Sequence, residues 1–192
     1  LFFFLPVMFF FSPIMTLMVL AFGFSDIAAI SMIPLYFVER GYSTNFAAFV
    51  VTMVALPTAI AQPFVGWLLD RVSRPVVAVS GSLIAALAFL ALPLMTSQAG
   101  LLVAVSILGA ASFSLYTASL TLLGERFRGG LLVSGSAVFA LSYAIGSAFG
   151  SGATGATMDL VSIDAGPVFT GLLMLVFTFV FAVNLLGIRQ RN

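Results

Sequence analysis

The sequence predicts an all-helical membrane protein with six spans. Three observations carry this. Of the 192 residues, 62% are hydrophobic and only 7% charged, against about 45–50% apolar and about 25% charged in soluble domains. The apolar residues form long runs, each near the ~20 residues that cross a bilayer. The charges gather between those runs, above all in Gly66-Trp67-Leu68-Leu69-Asp70-Arg71-Val72-Ser73-Arg74.

Composition excludes several functions. The chain has no cysteine or histidine, and its seven cations are all arginines. Disulfides, thiolate or histidine-held metals, and Ser-His-Asp or Cys-His catalysis are therefore excluded. No enzyme activity, metal or cofactor is expected. A net charge of +1 carries no sign of nucleic-acid binding.

Leu1–Phe11 is Phe-rich and interrupted by Pro6. Residues 1–12 read as an interfacial lead-in or the end of a linker. A start at Leu1 inside an apolar run, with no basic n-region, suggests a piece of a longer protein. Residues 13–192 form the transmembrane domain. Ser12-Pro13 has the form of an N-cap followed by proline at the first helical position, opening a span at about 13–38. Pro34 should bend its last turns, and Gly41 suits the C′ position. Ser43 or Thr44 caps the second span, about 45–69, which carries Pro57 and Pro63; membrane helices tolerate such prolines. The third span is expected at about 75–94. An uncharged turn, Met95-Thr96-Ser97-Gln98, precedes the fourth, about 99–123. The charged loop Gly124–Gly130 leads to the fifth, about 131–154. A longer stretch, Gly155–Gly166, precedes the sixth, about 167–188.

Loop charges give the orientation. Alternate loops put Arg71, Arg74, Arg126, Arg128, Arg189 and Arg191 on one side and only Arg40 on the other. The positive-inside rule makes the six-arginine side cytoplasmic, with both ends of the unit there. In lipid, helices approach closely through small residues. Ser142, Gly146 and Gly150 recur every four residues in the fifth span, and Ser147, Ser151 and Gly155 form an adjacent row.

Asp26 is the only acid inside a span. A carboxylate at the bilayer centre costs about 2.5–3.5 kcal/mol on insertion scales. It must face a cavity or a partner, or be protonated, so Asp26 is the candidate for carrying a proton or meeting a cationic group. A neutral Asp hydrogen-bonded to its neighbours is the plainer alternative. Gln62, Tyr116, Ser142, Tyr143 and Asn184 are further mid-span polar groups; of these Gln62, Tyr116 and Tyr143 join Asp26 as the candidate substrate or proton site.

In the charged patch, Gly66 and Asp70 share a helix face. Gly66 admits a close neighbour, and Asp70 suits the positive N-terminus of another helix. Arg71 or Arg74 can reach Glu125, the only other acid on that side. Gly66, Asp70, Arg71, Arg74, Glu125 and Arg126 thus form a candidate gate. Trp67 reads as an interfacial anchor.

At these residues the chain resembles the major facilitator superfamily. Gly66-x-x-x-Asp70-Arg71-x-x-Arg74 is similar to the loop motif G-x-x-x-D-R-x-G-R-R, with Ser73 for Gly and Pro75 for a basic residue. Glu125-Arg126-Phe127-Arg128-Gly129 resembles the E-R-x-R-G segment, and Gly146 to Gly152 the G-x-x-x-G-P stretch, with Ser151 for Pro. The resemblance covers essentially the whole chain. It implies six helices as two inverted three-helix repeats, half of a twelve-helix transporter. The fourth span lacks the arginine typical of the N-terminal half, so the C-terminal half is implied, with the missing N-terminal six-helix half as partner. It further implies that Asp70 caps a helix of that absent half, that Arg71 pairs with Glu125, and that the first, second, fourth and fifth spans face the central cavity.

The resulting expectation is secondary active transport of a small solute by alternating access, coupled to protons, in the plasma (bacterial inner) membrane. The alternative is a non-transporting scaffold or sensor on the same fold.

Overall fold

The computed structural model describes residues 13–189; the expected lead-in (1–12) and the final residues (190–192) lie outside them. Six helices follow in order: α1 (Pro13–Glu39, comprising Pro13–Ile27, a π segment Ala28–Met32 and Ile33–Glu39), α2 (Thr44–Arg71), α3 (Arg74–Ala91, extended by a 3-10 turn Leu92–Leu94), α4 (Gln98–Arg126), α5 (Gly130–Leu160) and α6 (Ala165–Arg189). All six are long and apolar enough to cross a membrane. No strand occurs among the described residues.

The helix ends follow local chemistry. Ser43 Oγ accepts the Phe46 amide at 3.2 Å and Ser97 Oγ the Gly100 amide at 3.2 Å, capping α2 and α4. At the end of α1, Gly41 takes a φ of +86° and the Tyr42 amide returns to the Phe37 carbonyl at 3.0 Å, the C′ arrangement that glycine favours. The bend expected at Pro34 takes the form of the π segment directly before it. Pro34 has no N–H for Ile30, and its ring crowds that carbonyl. The wider turn, in which the Ile33 amide reaches back to Ala28, takes up the misfit.

Helix α1 packs along α5 and against α4, α2 packs along α4, and α3 packs on both α4 and α6. Dividing the chain after α3 makes the α1–α5 and α4–α2 contacts counterparts, as inverted three-helix repeats require. Close backbone approach builds these seams. In α5, Ser142, Gly146, Gly150, Thr154 and Met158 are buried at four-residue spacing. A side chain at Gly146 would run into the Leu20 carbonyl, and one at Gly150 into the Phe24 carbonyl. From α1, Gly23 approaches the Tyr143 carbonyl equally closely, and Ser147 Oγ donates to the Gly23 carbonyl at 3.3 Å. Gly109 of α4 repeats the device against Val54 of α2. The outer surface is apolar: Ile60, Phe64, Val133, Phe149 and Phe179 are all exposed, as side chains facing lipid are.

The helices run further than their apolar stretches suggest. Asp70 and Arg71 lie in the last turn of α2, Gly124 to Arg126 in α4, and Gly155 to Leu160 in α5. The connections shrink to 72–73, 127–129 and 161–164. Unpaired backbone groups near hydrocarbon cost several kcal/mol each, so the helices continue until water can replace the missing partners. In α5 the extension also continues the buried stripe, since Met158 packs against Gly166 of α6.

Candidate functional site

An open cavity of about 450 Å³ lies where α1, α4 and α5 meet. Phe22 and Asp26 come from α1, Phe113 and Tyr116 from α4, and Phe139, Ala140 and Tyr143 from α5. The spacings explain the convergence: 22 and 26, 113 and 116, and 139 and 143 are each one helical turn apart, so each pair shares a face. The glycine-mediated approach of Gly23 to Tyr143 then draws α5 against α1. As a result Tyr143 Oη donates to Asp26 Oδ2 at 2.9 Å.

The rings form one cluster. Phe22 lies 5.4 Å from Phe113, edge-on, 5.2 Å from Tyr116 and 5.6 Å from Tyr143. Tyr116 in turn meets Phe113 at 4.9 Å and Phe139 edge-on at 5.4 Å. Among the described residues, Asp26 is the only charged one lining the cavity, and Arg40, Arg71 and Arg74 lie near the ends of spans.

The structure thus brings Asp26, Tyr116 and Tyr143 together. Gln62 is not among the lining residues. Its Oε1 accepts from Thr117 Oγ1 at 2.9 Å, tying α2 to α4, and its buried Nε2 has no partner among the described residues. Ser142 donates to the Val138 carbonyl of its own helix at 2.8 Å. Phe22, Phe113 and Phe139 were not singled out by sequence. The available signal was their one-turn spacing from Asp26, Tyr116 and Tyr143.

At the arginine-rich end, the pairing differs in detail from expectation. Arg74, not Arg71, forms the ion pair with Glu125. Arg74 opens α3, which packs on α4, and Glu125 sits at the end of α4. Arg71 remains on the outer face of α2, where its guanidinium lies 4.5 Å from the ring centroid of Trp67, one turn earlier. That cation–π contact is Trp67's role here in addition to any anchoring. Asp70 is exposed and meets no partner among the described residues. A Cβ at Gly66 would meet nothing within 4 Å among the described residues, whereas Val65 and Leu69 of the same helix are buried. The side chain of Arg126 lies outside what the structure describes.

The family model described as Major Facilitator Superfamily matches residues 3–191. The chain belongs to the Major Facilitator Superfamily. It is an integral membrane protein of a transporter family, and its six spans fit one half of the superfamily fold. No curated protein matches it.

At the opposite end of this superfamily half lies a polar cluster that sequence reading missed. Tyr36 Oη donates to Asp164 Oδ1 at 3.0 Å and accepts from Arg40 Nη1 at 2.7 Å. Arg40 Nε lies 3.8 Å from the same carboxylate oxygen, and its other nitrogens reach the Leu92 and Pro93 carbonyls at 3.3 and 3.4 Å. The cluster joins the end of α1 to the 3-10 turn after α3 and to the α5–α6 connection. Its sequence signal was the single arginine of that side, one turn after Tyr36, with Asp164 in a facing loop.

Proposed function

We propose that the chain is half of a secondary transporter that moves a small solute by alternating access, with Asp26 carrying the coupled proton. The observation that carries this reading is the Asp26 carboxyl, held by Tyr143 and facing the cavity between α1, α4 and α5 with no cation among the lining residues. A lone carboxylate in hydrocarbon is costly, and desolvation disfavours its charged form. When water reaches the cavity, ionisation becomes cheap and the proton leaves; when the cavity closes, the neutral acid returns. Tyr143 from α5 and Tyr116 from α4 are the other titratable groups facing it. Tyr143 serves either state, because its hydroxyl donates to a carboxylate and to a carboxyl alike.

The remaining parts of the reading concern the whole protein. The partner is the N-terminal six-helix half of the same protein, with the present chain as the C-terminal half. The open face of α2 at Gly66 and Asp70 suits that partner, and Asp70 there meets the positive end of one of its helices. Six arginines at one end against one at the other support a cytoplasmic location for that end, in the plasma (bacterial inner) membrane. The Arg74–Glu125 pair acts as a gate latch. As an exposed pair it contributes under about 1 kcal/mol, enough to bias a two-state equilibrium in which about 1–3 kcal/mol is decisive.

The test uses the full-length protein in liposomes that trap a pH-sensitive dye. A sugar, an amino acid, a dicarboxylate and tetraphenylphosphonium are added separately under a pH gradient. At least one should produce a pH change that Asp26→Asn abolishes. No solute-dependent pH change, or one unaltered in Asp26→Asn, contradicts the reading.

A further inference from the structure

We infer that the Tyr36–Arg40–Asp164 cluster is an outer latch, the inverted-repeat counterpart of the Arg74–Glu125 pair, and that the two latches bias the protein toward opposite sides of its access equilibrium. Outer denotes the end that bears Arg40, inner the arginine-rich end. The inference rests on the alternating-access part of the transport reading and adds a second control point to it.

The helix seams set the correspondence between the two repeats. Gly23 of α1 lies against the Tyr143 carbonyl and Ser147 Oγ of α5, and Gly109 of α4 lies against the Val54 carbonyl and Thr58 Oγ1 of α2. Gly23 and Gly109 are therefore equivalent positions in inverted repeats. Glu39-Arg40 stands sixteen and seventeen residues after Gly23, and Glu125-Arg126 stands at the same distances after Gly109. The π segment of α1 holds one residue more than an α turn. It brings Arg40, instead of Glu39, into the helical phase of Glu125. Arg40 thus closes α1 where Glu125 closes α4. Its partner Asp164 directly precedes α6, and the partner of Glu125, Arg74, opens α3. Equivalent helix ends meet in both pairs, with the charges exchanged. Each pair joins the repeat of α1 to α3 to the repeat of α4 to α6.

The placement matters because α1 and α4 both line the cavity at Asp26. One latch holds the outer end of α1 and the other the inner end of α4. Parting the repeats at either end breaks the latch there and widens the cavity mouth on that side. The two latches are unequally backed. Outside, the fully buried Tyr36 bridges the ion pair, and Arg40 also donates to the Leu92 and Pro93 carbonyls. Nearby, Tyr42 Oη donates to the Thr96 carbonyl at 3.3 Å, so all three outer connections are held together. Inside, Glu125 is half exposed, and the buried Arg74 Nε has no partner among the described residues. The outer latch is the stiffer one, and the inner end yields first.

The experiment reads access to the cavity from each side. Ala140, a lining residue on α5, is replaced by cysteine (Ala140→Cys) in full-length protein freed of any other cysteine. A membrane-impermeant maleimide is applied to right-side-out and to inverted membrane vesicles, and the ratio of outer to inner labelling rate is measured without solute. Arg40→Gln should raise that ratio at least about fivefold. Arg74→Gln should lower it, and the two together should give a value between. Asp164→Ala should raise the ratio while leaving Arg40 its carbonyl bonds, which keeps the test open should Arg40→Gln fail to fold; Asp164→Glu should restore the native ratio. A ratio that neither Arg40→Gln nor Asp164→Ala raises overturns the inference, and so does one that Arg74→Gln does not lower. The two readings fail differently. Labelling from both sides with a ratio indifferent to Arg40 and Asp164 keeps alternating access and overturns the outer latch. A ratio that shifts as expected, with no solute-dependent pH change in liposomes, keeps the latch and overturns proton-coupled transport.

Discussion

Tyr143 meets Asp26 twice over: its hydroxyl donates to Asp26 Oδ2 at 2.9 Å, while its backbone carbonyl lies against Gly23, one turn before that carboxylate. The bond is therefore set by the helix seam and not by side-chain reach alone. Tyr143→Phe removes the hydroxyl and leaves the ring contact with Phe22. Hydrogen bonds to charged groups contribute about 1.5–3 kcal/mol, so Asp26-dependent proton flux in liposomes should fall by about tenfold or more.

The seam itself should tolerate no side chain. Gly146→Leu drives a side chain into the Leu20 carbonyl, and overpacking of this kind costs about 1–3 kcal/mol or more. Thermal unfolding in detergent should show a clear loss. Gly152 lies two residues beyond Gly150 on the same helix, and a Cβ there meets nothing within 4 Å. Gly152→Ala should be neutral or stabilising by up to about 1 kcal/mol, from helix propensity alone.

The Arg74–Glu125 pair is half exposed on its acidic side. Arg74→Gln or Glu125→Gln should change stability by less than about 1 kcal/mol yet alter the balance of open and closed states. A pair of engineered cysteines carrying spin labels on α2 and α4 reports that balance, with no native cysteine among these 192 residues to compete for label. Either single variant should shift the distance distribution, and the charge swap Arg74→Glu with Glu125→Arg should move it back.

At the other end, Arg40 connects Tyr36, Asp164 and two carbonyls of the 3-10 turn. Arg40→Ala strips all of these at once and should destabilise the protein by about 1–3 kcal/mol. Asp164→Asn keeps a hydrogen-bond acceptor for Tyr36 and should do less. Chemical unfolding followed by tryptophan fluorescence at Trp67 orders the two.

The six spans were legible because lipid demands long apolar runs, and Asp26 stood out because nothing else in those runs is acidic. The helix ends were less legible. Charges at Arg71 and Glu125 read as loop markers, although a helix gains by carrying its hydrogen bonds on to the membrane surface. The choice of Arg74 over Arg71 as partner for Glu125 turned on which helix each arginine belongs to, which spacing alone leaves open. Phe22, Phe113 and Phe139 were hidden among 21 phenylalanines, since a ring facing a cavity and a ring facing lipid have the same sequence signature. Gly23 and Gly109 were missed because each stands alone, and their partners are backbone carbonyls on other helices.

The most direct test of the central claim is proton movement into dye-loaded liposomes holding full-length protein or its Asp26→Asn variant, with the solute panel added under a pH gradient. The account expects a solute-dependent pH change in the native protein and none in the variant. Equal pH changes in both would contradict it.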